Sequence, residues 1–204
     1  MIELPGDNLD YDIIFKAASS IKHVPGIICE IGTRRGGSLK YIIDALLSVS
    51  DHNRNVVCID PYGDIGYRHA DNIICTFDYT NTMRDEAWAN IYAYVQGKPI
   101  NLIFQCLEDT EFFNRFQDGV PVYQQHGKQI INQYSLVYFD GPHDTKSISK
   151  EIDFFIPRST YGTKFIFDDI VNYNHTSIHN RLLNEGFALV EYSTDARRAS
   201  YTKN

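Results

Sequence analysis

The sequence has no apolar run approaching the ~18–20 uncharged residues that span a bilayer. Its opening, MIELPGDNLDYD, also lacks the basic-then-apolar pattern of a secretion signal. Both absences predict a soluble, cytoplasmic chain with no membrane partner. Cysteine is scarce: Cys29, Cys58, Cys75 and Cys106 show no C-x-x-C spacing, which gives no support for a zinc site or a disulfide framework. Three of them lie in or beside apolar strand-like runs and read as small buried hydrophobes in a reducing compartment. Positive charge is in the minority, and a formal net charge of −7 repels a polyphosphate backbone, so nucleic acid is not expected as a partner. Linkers, repeats and low-complexity tracts are missing too. With 204 residues and 43% hydrophobic content the chain can bury one full core, so a single domain over 1–204 is expected, compatible with a homo-oligomer.

What is present is an alternation of short apolar runs with amphipathic stretches, the mark of an α/β sheet. Residues 1–25 form a helical extension with Ile13, Ile14, Ala17 and Ile21 on one face, stopped by Pro25-Gly26. IICEIG, NVVCIDP, INLIFQCL, YSLVYFD and TKFIFDD read as five successive strands. Helices follow Gly36-Gly37-Ser38 and Asn81, a short one spans about 109–117, and two more carry Ile148, Ile152 and Phe155, then Ile178, Leu182 and Leu183. FALVEYS and RRASYTK, joined by a short turn, form a terminal antiparallel hairpin. The whole is a doubly wound sheet whose last strand runs against the others. Segments 61–79 and 118–133 have no clear period and are long for connections, which marks them as functional loops. They offer Tyr62, Tyr67, Arg68, His69, Tyr79 and Tyr123 for ring stacking and hydrogen bonding.

Two groups of residues carry chemistry. The first is CEIGTRRGGS, where the first strand turns into its helix and ligands meet the carboxyl ends of such sheets. A dinucleotide fingerprint would need glycine at Arg34, so the nicotinamide reading weakens. Asp60 ends the second strand, where an acid accepts from ribose hydroxyls; as a plainer reading it is a turn acid before Pro61. The second group gathers Asp140 at the end of the fourth strand and Asp168-Asp169 at the end of the fifth. Three carboxylates on one sheet edge repel unless something neutralises them, and a divalent cation with oxygen ligands does so. Their plainer reading is a helix cap and an Asp-Gly turn.

The terminal hairpin, the acid-x-Gly turn around Glu30 and Gly32, and the Asp then Asp-Asp pattern together resemble the class I S-adenosylmethionine (SAM) methyltransferases. Within them they resemble the metal-dependent O-methyltransferases of catechol, caffeoyl-CoA and antibiotic-sugar type. The resemblance implies a seven-stranded Rossmann-like sheet with a terminal antiparallel hairpin. It implies SAM held by Glu30, Gly32, Thr33, Gly36, Ser38, Asp60, Glu108, Asp109 and Asp140. It also implies Mg²⁺ or another divalent cation on Asp140, Asp168 and Asp169, and a small hydroxylated acceptor such as a sugar. Catechol-type enzymes carry a basic catalytic residue three positions after the first metal aspartate, and here that position is His143. An imidazole suits proton removal near neutral pH. Asp144 either orients that ring or caps the next helix. The competing readings are a nicotinamide-dependent oxidoreductase, which leaves the acid triad unexplained, and a SAM-binding protein of the same fold without methyl transfer.

Overall fold

In the computed structural model, which describes residues 4–6, 11–75, 79–125 and 127–204, the backbone alternates as the apolar pattern requires. In chain order the elements are α1 (Asp12–Ser19), β1 (Ile27–Ile31), α2 (Gly37–Ser48), β2 (Arg54–Ile59), β3 (Tyr67–Ala70), β4 (Ile73–Cys75), α3 (Asn81–Val95), β5 (Ile100–Gln105) and α4 (Asp109–Arg115). Then come β6 (Val120–Gln124), β7 (Gly127–Ile131), β8 (Tyr134–Phe139), α5 (Thr145–Phe155), β9 (Ser159–Phe167), α6 (His175–Asn184), β10 (Phe187–Tyr192) and β11 (Ala199–Lys203). Among the described residues no helix is long and apolar enough to cross a membrane.

A seven-stranded sheet in the order β10-β11-β9-β8-β1-β2-β5 forms the centre. Its strands pair in parallel except β11, which runs antiparallel to both β9 and β10. Both faces are covered, so β1 and β8 are buried at every position rather than at alternate ones, and all but Glu30 and Ser135 of their residues are apolar. Ile27, Cys29 and Ile31 of β1 pack with Phe112, Ile152, Phe155 and Leu182 on one side. Ile28 packs with Ile14, Leu39, Ile42 and Ile91 on the other.

Three local expectations need correction. Segments 61–79 and 118–133 are not irregular: each contains a two-stranded antiparallel hairpin, β3–β4 and β6–β7. Ile73, Ile74, Tyr123 and Ile130 are exposed on these hairpins; β3–β4 has no buried residue, and in β6–β7 only Val120 and Val122 are buried, too short a stretch to set a clear period. Cys29 and Cys58 are buried as expected, but Cys106 is exposed, with its thiol donating to the Pro61 carbonyl. Leu183 lies on the outer face of α6 and is exposed.

The chain leaves β1 towards β2 and β5 on one side and returns through β8 and β9 on the other, so the strand order reverses between β1 and β8. A crevice opens at the carboxyl ends of strands at such a reversal. Gly32 ends β1 there with φ +84°, and a Cβ at this position would stand 2.0 Å from the Asp140 carbonyl oxygen. Only glycine lets the β1–α2 turn lie this close to the β8–α5 turn. Gly32→Ala is therefore expected to destabilise the fold by ~3 kcal/mol or more in urea unfolding, since neither the backbone contact nor the positive φ tolerates a side chain. A loss under ~1 kcal/mol would mean that the two turns can separate freely.

Candidate active site

The crevice is a cleft of two lobes that share Gly32, Tyr67 and Tyr79 as walls, each lobe ≈ 240 Å³. The first lobe is walled by Thr33, Ser38, Asp140, His143, Asp168 and Asp169, with Arg34, Arg197 and Arg198. The second is walled by Asp60, Leu107, Glu108 and Asp109, and closed by Gly141, Pro142 and Ser147. The predicted residues thus fall into two neighbouring groups, with two exceptions. Glu30 lies beneath the first lobe rather than in its wall. Gly36 lines neither lobe; it starts α2 in the left-handed region, φ +84°, against the side chain of Ile91.

Asp60 joins the turns that form the second lobe. Its Oδ2 accepts from the Arg34 amide at 2.8 Å and its Oδ1 from the Tyr62 amide at 3.2 Å, while the Tyr62 hydroxyl donates to the Arg34 carbonyl at 2.7 Å. Burial pushes Asp60 up to about 6 against the pull of those two amides. A carboxylate has about four lone-pair positions, so these bonds leave acceptor capacity towards a ligand. Arg34 and Tyr62 hold φ of 45° and 54°, and Asp169 across the cleft holds 47°. Non-glycine residues in this region cost ~1–3 kcal/mol each and concentrate at functional sites. Of the two acids at the third strand's end, Asp109 is half-buried and Glu108 exposed.

In the first lobe, parallel pairing sets Phe139 opposite Phe167, so Asp140 and Asp168 leave neighbouring strands at the same height. Antiparallel pairing of β11 with β9 sets Ala199 opposite Phe167, and continuing that register brings Arg198 opposite Asp168 and Arg197 opposite Asp169. The side chains follow the register. Arg198, 1% exposed, donates to Asp168 Oδ2 at 3.0 Å, and the buried Tyr138 hydroxyl donates to the same oxygen at 2.8 Å. Asp168 Oδ1 accepts the Asp169 amide at 2.8 Å. Arg197 donates twice to Asp169 Oδ1, at 2.8 and 2.5 Å. Burial pushes Asp168 up, but the Arg198 guanidinium, the Tyr138 hydroxyl and the Asp169 amide outweigh it and hold the carboxyl below its ordinary range. The three acids expected to repel one another are thus faced by two guanidiniums. Asp168 already accepts three hydrogen bonds and Asp169 Oδ1 two, from partners that include both guanidiniums, so this edge is a poor fit to the open, anionic set of oxygen donors that Mg²⁺ takes. Among the described residues, no group of three or more His, Cys, Asp or Glu side chains is arranged to hold a metal ion.

His143 is buried at the junction of these groups, its Nε2 3.7 Å from Asp140 Oδ1 and 3.8 Å from Asp169 Oδ2. Its amide donates to the Arg68 carbonyl at 2.7 Å, and its ring meets that of His69 edge-on with centroids 6.1 Å apart, which ties it to the β3–β4 hairpin. Burial lowers the His143 pKa, opposed by the charges of Asp169 and Asp168. Asp144 does not orient the ring: its Oδ1 caps α5 by accepting from the amides of Lys146 and Ser147. Of the loop candidates, Tyr67, His69 and Tyr79 line the first lobe and Arg68 the second, Tyr62 is buried under Asp60, and Tyr123 is exposed elsewhere. Among the described residues none from 118–133 lines either lobe. Pro5 and Gly6, which carry no ionisable signal, line the first lobe against Gly37.

Glu30 is fully buried, accepts from Ser38 Oγ at 2.5 Å through Oε1, and among the described residues has no hydrogen-bond partner at Oε2. Burial pushes it up to about 8. The sign of the linkage follows: between pH 4.5 and about 8 the unfolded chain ionises this carboxyl while the folded chain keeps its proton, so stability falls as pH rises through that window. Glu30→Gln is expected to lessen the fall in melting temperature between pH 5 and 8 relative to wild type. Equal slopes in the two proteins would mean that Glu30 ionises normally in the fold.

The fold has clear counterparts among solved structures. The O-methyltransferase NovP aligns with TM-score 0.63 and 16% identity over 95% of this chain and 79% of its own. An O-methyltransferase from Bacillus cereus, solved with S-adenosylhomocysteine (SAH), aligns with TM-score 0.60 and 13% identity over 98% and 84%. CalS11, a calicheamicin methyltransferase, aligns with TM-score 0.58 and 16% identity over 94% and 76%. No curated protein matches the chain in sequence. A family model described as a methyltransferase domain matches residues 29–170, a segment that runs from the strand before the glycine turn to the residue after Asp168-Asp169. That segment holds both lobes' principal acids, and the chain belongs to the methyltransferase domain family.

Proposed function

We propose that the chain is a SAM-dependent O-methyltransferase acting on a small hydroxylated molecule, a sugar or a phenol. The observation that carries the reading is the two-lobed cleft at the strand-order reversal, with Asp60 in one lobe, His143 in the other and Gly32 between them. In this reading Asp60 accepts from the ribose hydroxyls of SAM and Asp109, with Glu108 at the rim, from the adenine amine. Gly32, Thr33 and Ser38 border the methionyl group above Glu30. The acceptor occupies the first lobe against Tyr67, His69 and Tyr79. Neighbours named as O-methyltransferases support oxygen as the acceptor atom.

The sulfonium of SAM already activates its methyl group, so the protein's work is alignment and removal of one proton. His143 Nε2 takes the proton of the acceptor hydroxyl, whose oxygen lone pair forms the new bond to the methyl carbon. The carbon–sulfur bond breaks with its electron pair going to sulfur, and SAH leaves while the proton passes to water. Burial favours the neutral imidazole beforehand. Afterwards Asp140 and Asp169, both within 3.8 Å of Nε2, stabilise the imidazolium.

The test has two parts. Calorimetric titration of SAH and NAD is expected to give micromolar binding of SAH and none of NAD, with Asp60→Ala weakening SAH at least ~10-fold through lost ribose contacts. NAD binding in place of SAH would point to an oxidoreductase instead. In a SAM-consumption screen over sugars, nucleotide sugars and catechols, His143→Ala is expected to lower kcat ~10²–10⁴-fold while SAH affinity stays within about threefold. Unchanged turnover would remove His143 as the base.

A further inference from the structure

We infer that this methyltransferase works without a divalent cation, because Arg197 and Arg198 occupy the charge-neutralising place that a metal would take at the Asp140, Asp168 and Asp169 edge. The inference rests on the methyltransferase reading and deepens it. A sheet edge with three carboxylates needs positive charge, and two sources could supply it: a bound ion, or fixed side chains. The register of β11 against β9 supplies the second, pairing Arg198 with Asp168 and Arg197 with Asp169. Arg198 is buried with its partner, and the Tyr138 hydroxyl and Asp169 amide occupy further lone pairs of that carboxylate. A cation taking Asp168 as a ligand would have to displace the buried Arg198, and separating such a pair costs ~3–5 kcal/mol, roughly 10²–10³-fold or more in affinity, while one taking Asp169 Oδ1 would have to displace the partly exposed Arg197. Arg197 and Arg198 lie beyond residues 29–170, so membership of the family carries no expectation of them.

The two arginines are positioning residues. They fix the carboxylates of Asp168 and Asp169 in place, and Asp169 Oδ2 is thereby left facing His143 Nε2 at 3.8 Å. The acceptor hydroxyl then loses its proton to His143 alone, with no metal lowering its pKa. That favours acceptors that are already somewhat acidic, such as phenols and enols, over simple sugar alcohols.

The experiment is a titration of Mn²⁺ followed by electron paramagnetic resonance on chelator-treated protein with SAH present. Wild type is expected to show no saturable binding below ~1 mM, and Arg197→Ala, a change at a partly exposed residue that leaves the buried Arg198 pair intact, to tighten Mn²⁺ at least ~10-fold by freeing Asp169. One saturable Mn²⁺ site per chain in wild type, lost in Asp168→Asn, would overturn the inference, as would an Arg197→Ala protein no tighter than wild type. SAH binding only after Mg²⁺ is added would also overturn it and leave the methyltransferase reading standing. SAH binding under neither condition would remove the reading itself.

Discussion

The pairing of Asp168 with Arg198, both buried, is the interaction on which the rest of the cleft depends. It joins the end of a parallel strand to the start of the antiparallel strand beside it, so it exists only because β11 enters the sheet next to β9. Breaking such a pair from one side strands a charge in the interior, which is far costlier than losing a surface bridge. Asp169 is tied to the same hairpin by Arg197, and its φ of 47° is held between that bond and the Ile170 amide, which donates to the Arg197 carbonyl at 3.0 Å. The hairpin that closes the sheet is also the element that organises one wall of the site.

From this wall the chemistry follows in order. Asp140 arrives at the same height by parallel register, and Gly32 lets the neighbouring turn press against it. His143, three residues on, is carried into the gap between Asp140 and Asp169 by the Asp-Gly-Pro-His turn and held there through Arg68 and His69 of the β3–β4 hairpin. The imidazole meets two opposing influences, burial that favours its neutral form and carboxylates that favour its cation, as the proposed proton transfer would need. In the other lobe Asp60 is braced by the backbone amides of Arg34 and Tyr62, so its carboxylate stays aimed at the cleft.

Much of this was legible because it depends on burial. The five parallel strands and their helices announce themselves through apolar runs and helical spacing, since both sheet faces are covered. Gly32, Asp60, Asp140, His143 and Asp168 could be placed by counting strand ends. The hairpins β3–β4 and β6–β7 could not, because Ile73, Ile74, Tyr123 and Ile130 face solvent and the alternation in β6 is confined to Val120 and Val122. Arg197 and Arg198 stand in plain view in RRASYTK, but their partners lie 28 and 30 residues earlier, in Asp169 and Asp168. Local spacing does not connect them. What does is the antiparallel register, in which the positions of paired residues add to a constant; once Ala199 faces Phe167, the two arginines must face the two aspartates. Without that register the three acids stand as an uncompensated cluster, and like-charge repulsion among them points to a cation. Pro5 and Gly6 escaped notice for a different reason, having only a shape to contribute.

Neutralisation of the acid edge by guanidinium groups and no metal, with SAM across the two lobes, is open to direct observation in a crystal structure grown with SAH and Mn²⁺, with data collected at the manganese absorption edge. The expected result is SAH lying across Gly32 with its ribose on Asp60, Arg197 and Arg198 still on their aspartates, and no anomalous peak between Asp140 and Asp169. A manganese peak there, with either arginine swung away, would contradict it.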